Sequence, residues 1–355
     1  MALTSKAHSP CTNGGTTIID LKGKAFRRWL HLAIGLAVAG LFLYLAVRNV
    51  DLAEARSILF KVEPGRMLPL VAMSLALVGL RVWRWLLMFP CAMRPTRYQA
   101  FDAFALASLA NSFMPGRLGD IARAGIIGRH VPALGASGAF ATVVLEKVLD
   151  GLAVLLLLAT ALWLVPLPPW LMKAGAGAAA VFLIALALLF ALGSYGNKSR
   201  ESDPTAVTTK FAPVQMLRAL RGLFHRFTVG LSTVTSVEQL TLLLLMSLMI
   251  WCAEVWWVYL CLQIFAIGVP PQAAVVTIVL LAVGTMLPAA PGFVGTYQFF
   301  VVTALAIYGV AESPALALSV FMNLFAMSMT VVVGAMAILA RLWVTQRAQT
   351  TAHHG

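Results

Sequence analysis

Long apolar runs alternate with short polar connections along most of the chain. A helix needs roughly 20 apolar residues to cross a bilayer. The runs of about this length predict transmembrane helices over about Trp29–Val47, Met67–Phe89, Ser137–Val165, Trp170–Leu192, Val237–Ile267 and Pro314–Ala340. The pattern therefore predicts an all-α polytopic membrane protein with about six full transmembrane helices.

Two further apolar segments are interrupted by the same short motif. The motif is Pro115-Gly116-Arg117-Leu118-Gly119-Asp120 in the first segment and Pro291-Gly292-Phe293-Val294-Gly295-Thr296 in the second. Proline lacks an N–H and glycine is too flexible, so both are poor interior residues for a helix. In lipid, broken backbone is tolerated only where it is buried in protein or faces a wet cavity. We therefore expect a binding site between the two breaks.

The broken segments are too short on either side of the break to cross the bilayer easily. Tyr98–Met114 and residues 121–128 flank the first break, and the simplest interpretation is a re-entrant hairpin. The second segment, residues 272–311, is compatible with either a hairpin or two crossings.

The order of elements predicts an internal repeat. It reads helix, helix, broken segment, helix, and then the same again. With three full crossings in the first half, the second half starts on the opposite side, which is the pattern of an inverted-topology repeat. Glu146 lies 26 residues after Asp120, and Asn323 lies 27 residues after Thr296.

Composition supports the membrane assignment and excludes most soluble chemistry. The chain of 355 residues is 61% hydrophobic and 11% charged, with a mean hydropathy of +0.89. A soluble domain carries about 25% charged residues. The four cysteines and six histidines have no metal-type spacing, and no phosphate loop or serine-hydrolase motif is present. We expect no cofactor and no metal.

The net charge of +13 follows the topology of a membrane protein. With the N-terminus in the cytoplasm, the cytoplasmic segments hold twenty basic residues and the outer segments hold five. This asymmetry satisfies the positive-inside rule, and it predicts that both termini are cytoplasmic. Because the basic residues follow topology, no nucleic-acid partner is expected.

Three polar regions flank or interrupt the transmembrane domain, which is predicted to span residues 29–343. Residues 1–28 are predicted to be a disordered basic cytoplasmic N-terminus, and residues 344–355 a cytoplasmic tail. Residues 194–236 are predicted to form a cytoplasmic linker and a basic amphipathic helix from Phe211 to Leu231. That helix either lies on an anionic leaflet or packs against the rest of the protein.

The first break has the chemistry of an anion site. A Pro-Gly break before a helix leaves backbone N–H groups unpaired, and the helix dipole favours negative charge there. Arg117 adds a planar fork that suits phosphate or carboxylate, and Arg123 and Arg129 are expected to continue this basic face. Asp120 either belongs to the site or caps the helix N-terminus.

Ionisable residues inside predicted spans mark function or pairing. Glu146 and Asp150 are one helical turn apart and are expected to pair with Arg81, Arg84 or Arg117. They form a structural ion-pair network, hold an arginine ready for a headgroup, or couple protons. Arg81 and Arg84 either face the bundle or extend to the interface. Glu254, beside three tryptophans, is open to the same alternatives as Glu146 and Asp150, a structural ion pair or a functional charge.

The candidate substrate-binding residues are drawn from both breaks and from the charged positions within spans. They are Arg81, Arg84, Asn111, Pro115, Gly116, Arg117, Gly119, Asp120, Glu146, Asp150, Glu254, Pro291, Gly292, Gly295 and Thr296.

With these residues in view, the chain resembles the lysylphosphatidylglycerol synthase transmembrane-domain family, the flippase-like membrane proteins. The resemblance extends from about residue 29 to 343. It is carried by Arg81-Val-Trp-Arg84-Trp85, Asn111-Ser-Phe-Met-Pro115-Gly116-Arg117-Leu-Gly119-Asp120, Glu146-Lys147-Val-Leu-Asp150 and Pro288-Ala-Ala-Pro291-Gly292-Phe-Val-Gly295-Thr296.

The resemblance implies movement of lipid-linked, polar-headed molecules between leaflets. Members are associated with aminoacylated phosphatidylglycerol, polyprenyl-phosphate-linked sugars and hopanoid lipids. The tail after Arg347 is too short for the soluble aminoacyltransferase domain of the fused members, so we do not expect synthase activity.

We therefore expect a bacterial inner-membrane lipid flippase that is not an enzyme. Its expected partners are lipids with anionic or polar headgroups, with a lipid-synthesis enzyme as a further candidate. Two alternatives remain: an intramembrane enzyme that acts on lipid phosphates through Asp120, Glu146 and Asp150, and a non-transporting partner of a lipid-synthesis enzyme.

Overall fold

A computed structural model describes residues 40–48, 50–60, 63–114, 118–165, 169–198, 222–231, 236–285 and 291–353. The predictions for residues 1–28, for the first part of helix one, for Pro115, Gly116 and Arg117, and for Pro288 lie outside these ranges. So does most of the predicted amphipathic helix. Within the described ranges the protein is all-helical and contains no strand.

Ten α-helices are given labels here, and shorter helical stretches cover residues 40–47 and 222–230. The labelled helices are α1 (Leu52–Phe60), α2 (Leu68–Leu87), α3 (Arg97–Phe113), α4 (Leu118–His130), α5 (Gly135–Leu164), α6 (Pro169–Lys198), α7 (Val237–Ile264), α8 (Gln272–Gly284), α9 (Thr296–Ala306) and α10 (Glu312–His353).

Four stretches in the described ranges are long and apolar enough to cross a membrane. They are Pro64–Leu87, Gly175–Ser194, Val237–Ile264 and Glu312–Trp343. Helix α5 has 30 residues, which is also sufficient length, but it carries three charged side chains within five residues. The protein is therefore a multi-pass membrane protein.

The helices match the sequence prediction in position, with differences at their ends. Helices α6 and α10 run on to Lys198 and His353, beyond the predicted ends at Leu192 and Ala340. Polar residues near Ser194 and after Arg341 are compatible with a helix in water, and the apolar pattern alone did not include them. Thr96 and Gln99 form a reciprocal capping box that fixes the start of α3.

Each broken segment consists of two short helices that pack against each other. Helices α3 and α4 contain 17 and 13 residues, and α8 and α9 contain 13 and 11. Gly119 lets α4 approach α3 so closely that a Cβ there would overlap the Ala107 carbonyl oxygen. A Cβ on Gly284 would instead overlap the Phe300 ring.

The two broken segments also meet in space. The turn Pro291–Phe293 packs against α3 and α10, and an added Cβ on Gly292 would lie 3.9 Å from the Ser112 carbonyl oxygen. Ser112 is near the end of α3, just before the first break. Helix α8 packs against α5, which follows the first broken pair. The fold thus brings the two motifs to the same region of the bundle.

The described end of the predicted amphipathic helix is packed on protein. Leu231 is fully buried, and a Cβ on Gly230 would overlap the Gly138 carbonyl oxygen at the start of α5. Leu223 and Phe224 remain about half exposed. The described stretch, residues 222–231, is therefore packed on protein at its C-terminal end and exposes apolar side chains at its N-terminal end.

Candidate functional site

A cavity of about 450 Å³ lies between the first broken pair, α5 and α7. Its volume corresponds to the liquid volume of roughly 15 waters, which suits a polar headgroup. Six charged side chains line it, three basic and three acidic. They are Arg81, Asp120, Arg123, Glu146, Lys147 and Asp150.

The first ion pair in this region joins α2 to α5. Arg84 donates to both carboxylate oxygens of Asp150, with Nη1–Oδ1 and Nη2–Oδ2 distances of 2.5 and 3.2 Å. Arg84 also donates to Ser247 Oγ at 2.7 Å, and Trp251 Nε1 donates to Asp150 Oδ1 at 3.3 Å. Arg84 is 1% exposed, so it faces the bundle and does not extend to the interface.

The second ion pair joins α4 to α5. Arg123 donates through Nη1 and Nη2 to the two carboxylate oxygens of Glu146 at 3.0 and 3.1 Å. Its guanidinium carbon lies 4.9 Å from the Trp85 ring centroid and 5.8 Å from that of Phe104. Planar stacking and a bidentate carboxylate are the two contacts that arginine makes better than lysine. Arg123 is therefore fixed in one orientation.

Weaker contacts connect these pairs into one network. Arg84 Nη2 lies 3.8 Å from Glu146 Oε1, and Arg123 Nη2 lies 3.3 Å from Asp120 Oδ1. Lys147 Nζ reaches Asp120 Oδ2 at 3.3 Å. The Lys147 side chain is 41% exposed, which makes it the most accessible cation among these pairs.

The network leaves little free positive charge on the two buried arginines. A charge taken out of water is tolerated only when partners compensate it. Arg84 and Arg123 each have a bidentate carboxylate partner, so an entering anion would have to displace Asp150 or Glu146. The accessible cations of the cavity are Lys147 and Arg81.

The side chains of Asn111 and Asp120, on either side of the first break, make hydrogen bonds and ion pairs around the start of α4. Asn111 Oδ1 accepts the Gly119 N–H at 2.8 Å, and Asn111 Nδ2 lies 3.5 Å from Asp120 Oδ1. Asp120 is the third residue of α4, and its carboxylate faces the side chains of Arg123 and Lys147. Asn111 thus occupies one N–H that the sequence assigned to a ligand. Pro115, Gly116 and Arg117 lie outside the described residues.

The second break is uncharged and depends on glycine conformation. Gly292 and Gly295 have φ angles of 69° and 85°, which favour glycine. The Gly295 N–H donates to Gln298 Oε1 at 2.7 Å. Pro291 begins the short turn and Thr296 begins α9. Gly292, Gly295 and Thr296 do not line the cavity, to which this segment contributes Ala282 and Thr285.

A third ion pair lies at the edge of the cavity. Arg81 Nη2 is 2.5 Å from Glu254 Oε1, which joins α2 to α7. The two side chains are 36% and 21% exposed. Glu254 therefore pairs with a basic residue of the candidate set, and Arg81 stays partly accessible.

Arg123 is the main site residue that the sequence prediction misplaced. It was expected on a basic face with Arg129, but Arg123 is buried and Arg129 is exposed. Six residues of helix correspond to about 240° of rotation, so the two side chains cannot share a face. Its spacing of three from Asp120 was the available signal for pairing.

Three other contributions were not predicted. The sequence prediction named Lys147 only within the motif Glu146-Lys147-Val-Leu-Asp150, and it gave no role to Trp251 or Ser247. A further ion pair joins Asp102 of α3 to Arg341 of α10, with Arg341 Nε 2.5 Å from Asp102 Oδ1 and Nη2 paired with Oδ2. Across the described part of the chain, no three His, Cys, Asp or Glu side chains are grouped as a metal site would require.

Comparison with known proteins gives a family for most of the chain. A family model described as the lysylphosphatidylglycerol synthase TM region matches residues 32–334. Neither the curated proteins nor the solved structures gave a match. The family match covers both breaks and every charged residue of the cavity.

Proposed function

The chain belongs to the lysylphosphatidylglycerol synthase TM region family, and on that premise we propose that it moves a polar-headed lipid between leaflets. The substrate is an amphiphile with a phosphate-bearing or otherwise polar headgroup. The protein acts as a transporter and not as an enzyme. It lies in the bacterial inner membrane with both termini in the cytoplasm.

The observation that carries this proposal is the charged cavity within a helical membrane bundle. Ionisable side chains are costly at membrane depth and are retained where they pair or line a polar path. Here they do both, because the paired residues also line a space of about 450 Å³. A headgroup needs such a space to cross the apolar core of a bilayer.

The balance of charge indicates how a headgroup would be held. Asp150 and Glu146 already compensate the charges of the two buried arginines. The headgroup therefore contacts the accessible cations, Lys147 and Arg81, and the polar side chains at the edge of the cavity. A site with both signs of charge accepts phosphate together with hydroxyl or amino groups. Arg117 lies three residues before the cavity residue Asp120 in the sequence, and it remains a predicted contributor from the first break.

The second broken pair supplies the opposing wall. Ala282 of α8 and Thr285, the residue that caps the end of α8, line the cavity. Residues 272–306 contain no Asp, Glu, Lys or Arg, so this wall can slide without breaking an ion pair. We assign it the role of the moving gate. The proposal also includes the inverted repeat and the re-entrant paths of the two broken segments.

A lipid-movement assay tests the proposal. Purified protein in liposomes is given headgroup-labelled phosphatidylglycerol, its lysyl ester or a polyprenyl-phosphate sugar. We expect movement of one of them, slowed about tenfold in Lys147→Ala, since the loss of a charge-assisted contact at a partly exposed side chain costs about 1.5 kcal/mol.

Lys173→Ala is the matched control, because Lys173 is exposed on α6 and does not line the cavity. It should move lipid at the wild-type rate. Folding of each variant is checked by thermal unfolding in detergent. A folded protein that moves no lipid contradicts the proposal, and phosphate release sensitive to a chelator favours the enzyme alternative.

A further inference from the structure

A second, smaller cavity of about 180 Å³ adjoins the charged one. Both cavities are lined by Arg81, Phe104 and Ser108. Away from these shared residues its lining is mainly apolar, with Leu77, Val78 and Val333 on its walls. The polar side chains that also line it are those of Ser74, Glu254, Tyr297 and Thr330. A polar space and an apolar space therefore meet at one arginine.

The small cavity reaches the outer surface of the bundle. Leu75 of α2 and Ala326 of α10 line it, and both residues are exposed. They lie in two of the stretches that are long and apolar enough to cross a membrane. Where these stretches cross the bilayer, their exposed surface faces lipid and the small cavity opens sideways toward acyl chains.

Arg81 differs from the two buried arginines in its free hydrogen-bonding capacity. Among the described residues, its one ion-pair partner is Glu254, which it contacts through Nη2. Its remaining N–H groups are available to a ligand, whereas both Arg84 and Arg123 are held by bidentate carboxylates. A guanidinium with free donors at a polar–apolar boundary suits a phosphate.

We propose that the two cavities form one bipartite site for an acyl-chain phospholipid. The headgroup occupies the charged cavity, the phosphate contacts Arg81, and the upper part of one chain enters the small cavity between α2 and α10. This inference rests on the proposed lipid substrate. In this arrangement one chain is partly withdrawn from the surrounding lipid.

Photo-crosslinking tests the chain position independently of transport. The probe is phosphatidylglycerol with a diazirine in the upper part of one acyl chain, in vesicles that contain the full chain. Labelled peptides are mapped by mass spectrometry. We expect label on the residues of α2 and α10 that line the small cavity, and competition by unlabelled phosphatidylglycerol.

Two tryptophan substitutions on α10 separate the cavity from ordinary lipid contact. Ala326→Trp fills the opening, and we expect it to reduce the label in the small cavity about fivefold, since a closed site excludes the chain. Ala335→Trp is the control, because Ala335 is exposed on the same helix but does not line the cavity. It should leave the label unchanged.

The phosphate contact is tested by Arg81→Gln. We expect the label from phosphatidylglycerol in the small cavity to fall about tenfold, as for a lost charge-assisted contact. The label from a diacylglycerol probe with the same chain, which lacks phosphate, should not change. An equal loss for both probes would overturn the role of Arg81.

The outcomes distinguish this inference from the transport proposal. Label spread evenly over the lipid-facing surface, with lipid movement intact, overturns the bipartite site alone. Label confined to the small cavity, with no lipid movement, supports the site and contradicts transport. Label that is unchanged in Ala326→Trp also overturns the inference.

Discussion

The pairs α3–α4 and α8–α9 are each two short packed helices joined at a Pro-Gly motif, yet their chemistry differs. The first pair carries buried Asp102, Arg123 and the partly buried Asp120. The second pair has no Asp, Glu, Lys or Arg from residue 272 to 306. Similar backbone plans therefore support a charged wall in one half and an apolar wall in the other.

The difference shows where each half finds its stability. The buried and partly buried charges of the first pair, Asp102, Asp120 and Arg123, each have a partner on a neighbouring helix, so that pair is tied to α5 and α10 by directed contacts. The second pair relies on apolar packing, which is nondirectional. We expect the first pair to be intolerant of substitution and the second pair to be more adaptable.

The largest expected effect comes from breaking the buried ion pair of the first half. Glu146→Gln leaves Arg123 with a weaker partner in an apolar setting. Removing one partner of a buried pair costs about 3–5 kcal/mol, which we expect as a lower free energy of unfolding in detergent.

The double variant Arg123→Met/Glu146→Leu is the control for that prediction. It removes both charges, so it should recover most of the lost stability while lipid movement stays impaired. A double variant that is less stable than Glu146→Gln would show that the pair itself stabilises the fold, contrary to our interpretation.

The next largest effect is the loss of stability when a methyl group is added at the close helix contact of each half. Gly119→Ala drives a methyl group into backbone atoms of Ala107, whereas Gly284→Ala meets the Phe300 ring, which can shift. Overpacking costs about 1–3 kcal/mol, and we expect Gly119→Ala at the upper end and Gly284→Ala at the lower end. Thermal unfolding of both variants under one condition measures the difference. Equal losses would contradict the proposed contrast in adaptability.

The smallest expected effect concerns the two side chains that accept a backbone N–H at the breaks. Asn111→Ala and Gln298→Ala each remove an acceptor, from the Gly119 and Gly295 N–H groups respectively. Each should cost about 1 kcal/mol of stability. Because only Asn111 lines the cavity, it alone should also change lipid movement, and an equal change in Gln298→Ala would argue against the cavity as the site.

Helix positions were predictable because they depend on local apolar length. The starts of α2, α5 and α7 lie within about two residues of the prediction, whereas the ends of α6 and α10 run into polar sequence that remains helical. The same local chemistry located both breaks, since proline and glycine act on their own backbone.

Ion-pair partners were only partly predictable. Glu146 and Asp150 were expected to pair with an arginine, but the choice between Arg81, Arg84 and Arg117 was open. Arg84 pairs with Asp150 and more distantly with Glu146, whereas the bidentate partner of Glu146 is Arg123. Arg84 and Asp150 are separated by 66 residues, and Arg81 and Glu254 by 173. Contacts over such separations depend on how helices pack, which the local pattern does not contain.

The sequence by itself determined that this is an all-helical membrane protein, where its helix breaks lie, and which family it belongs to. The first two properties follow from composition, apolar length and residue-specific backbone effects, and the family follows from the match over residues 32–334. Only the tertiary structure decided that Arg84 and Arg123 are already compensated, that Arg81 and Lys147 remain accessible, and that a polar cavity meets an apolar one at Arg81. The physical reason is that the availability of a charge depends on the groups that surround it in space.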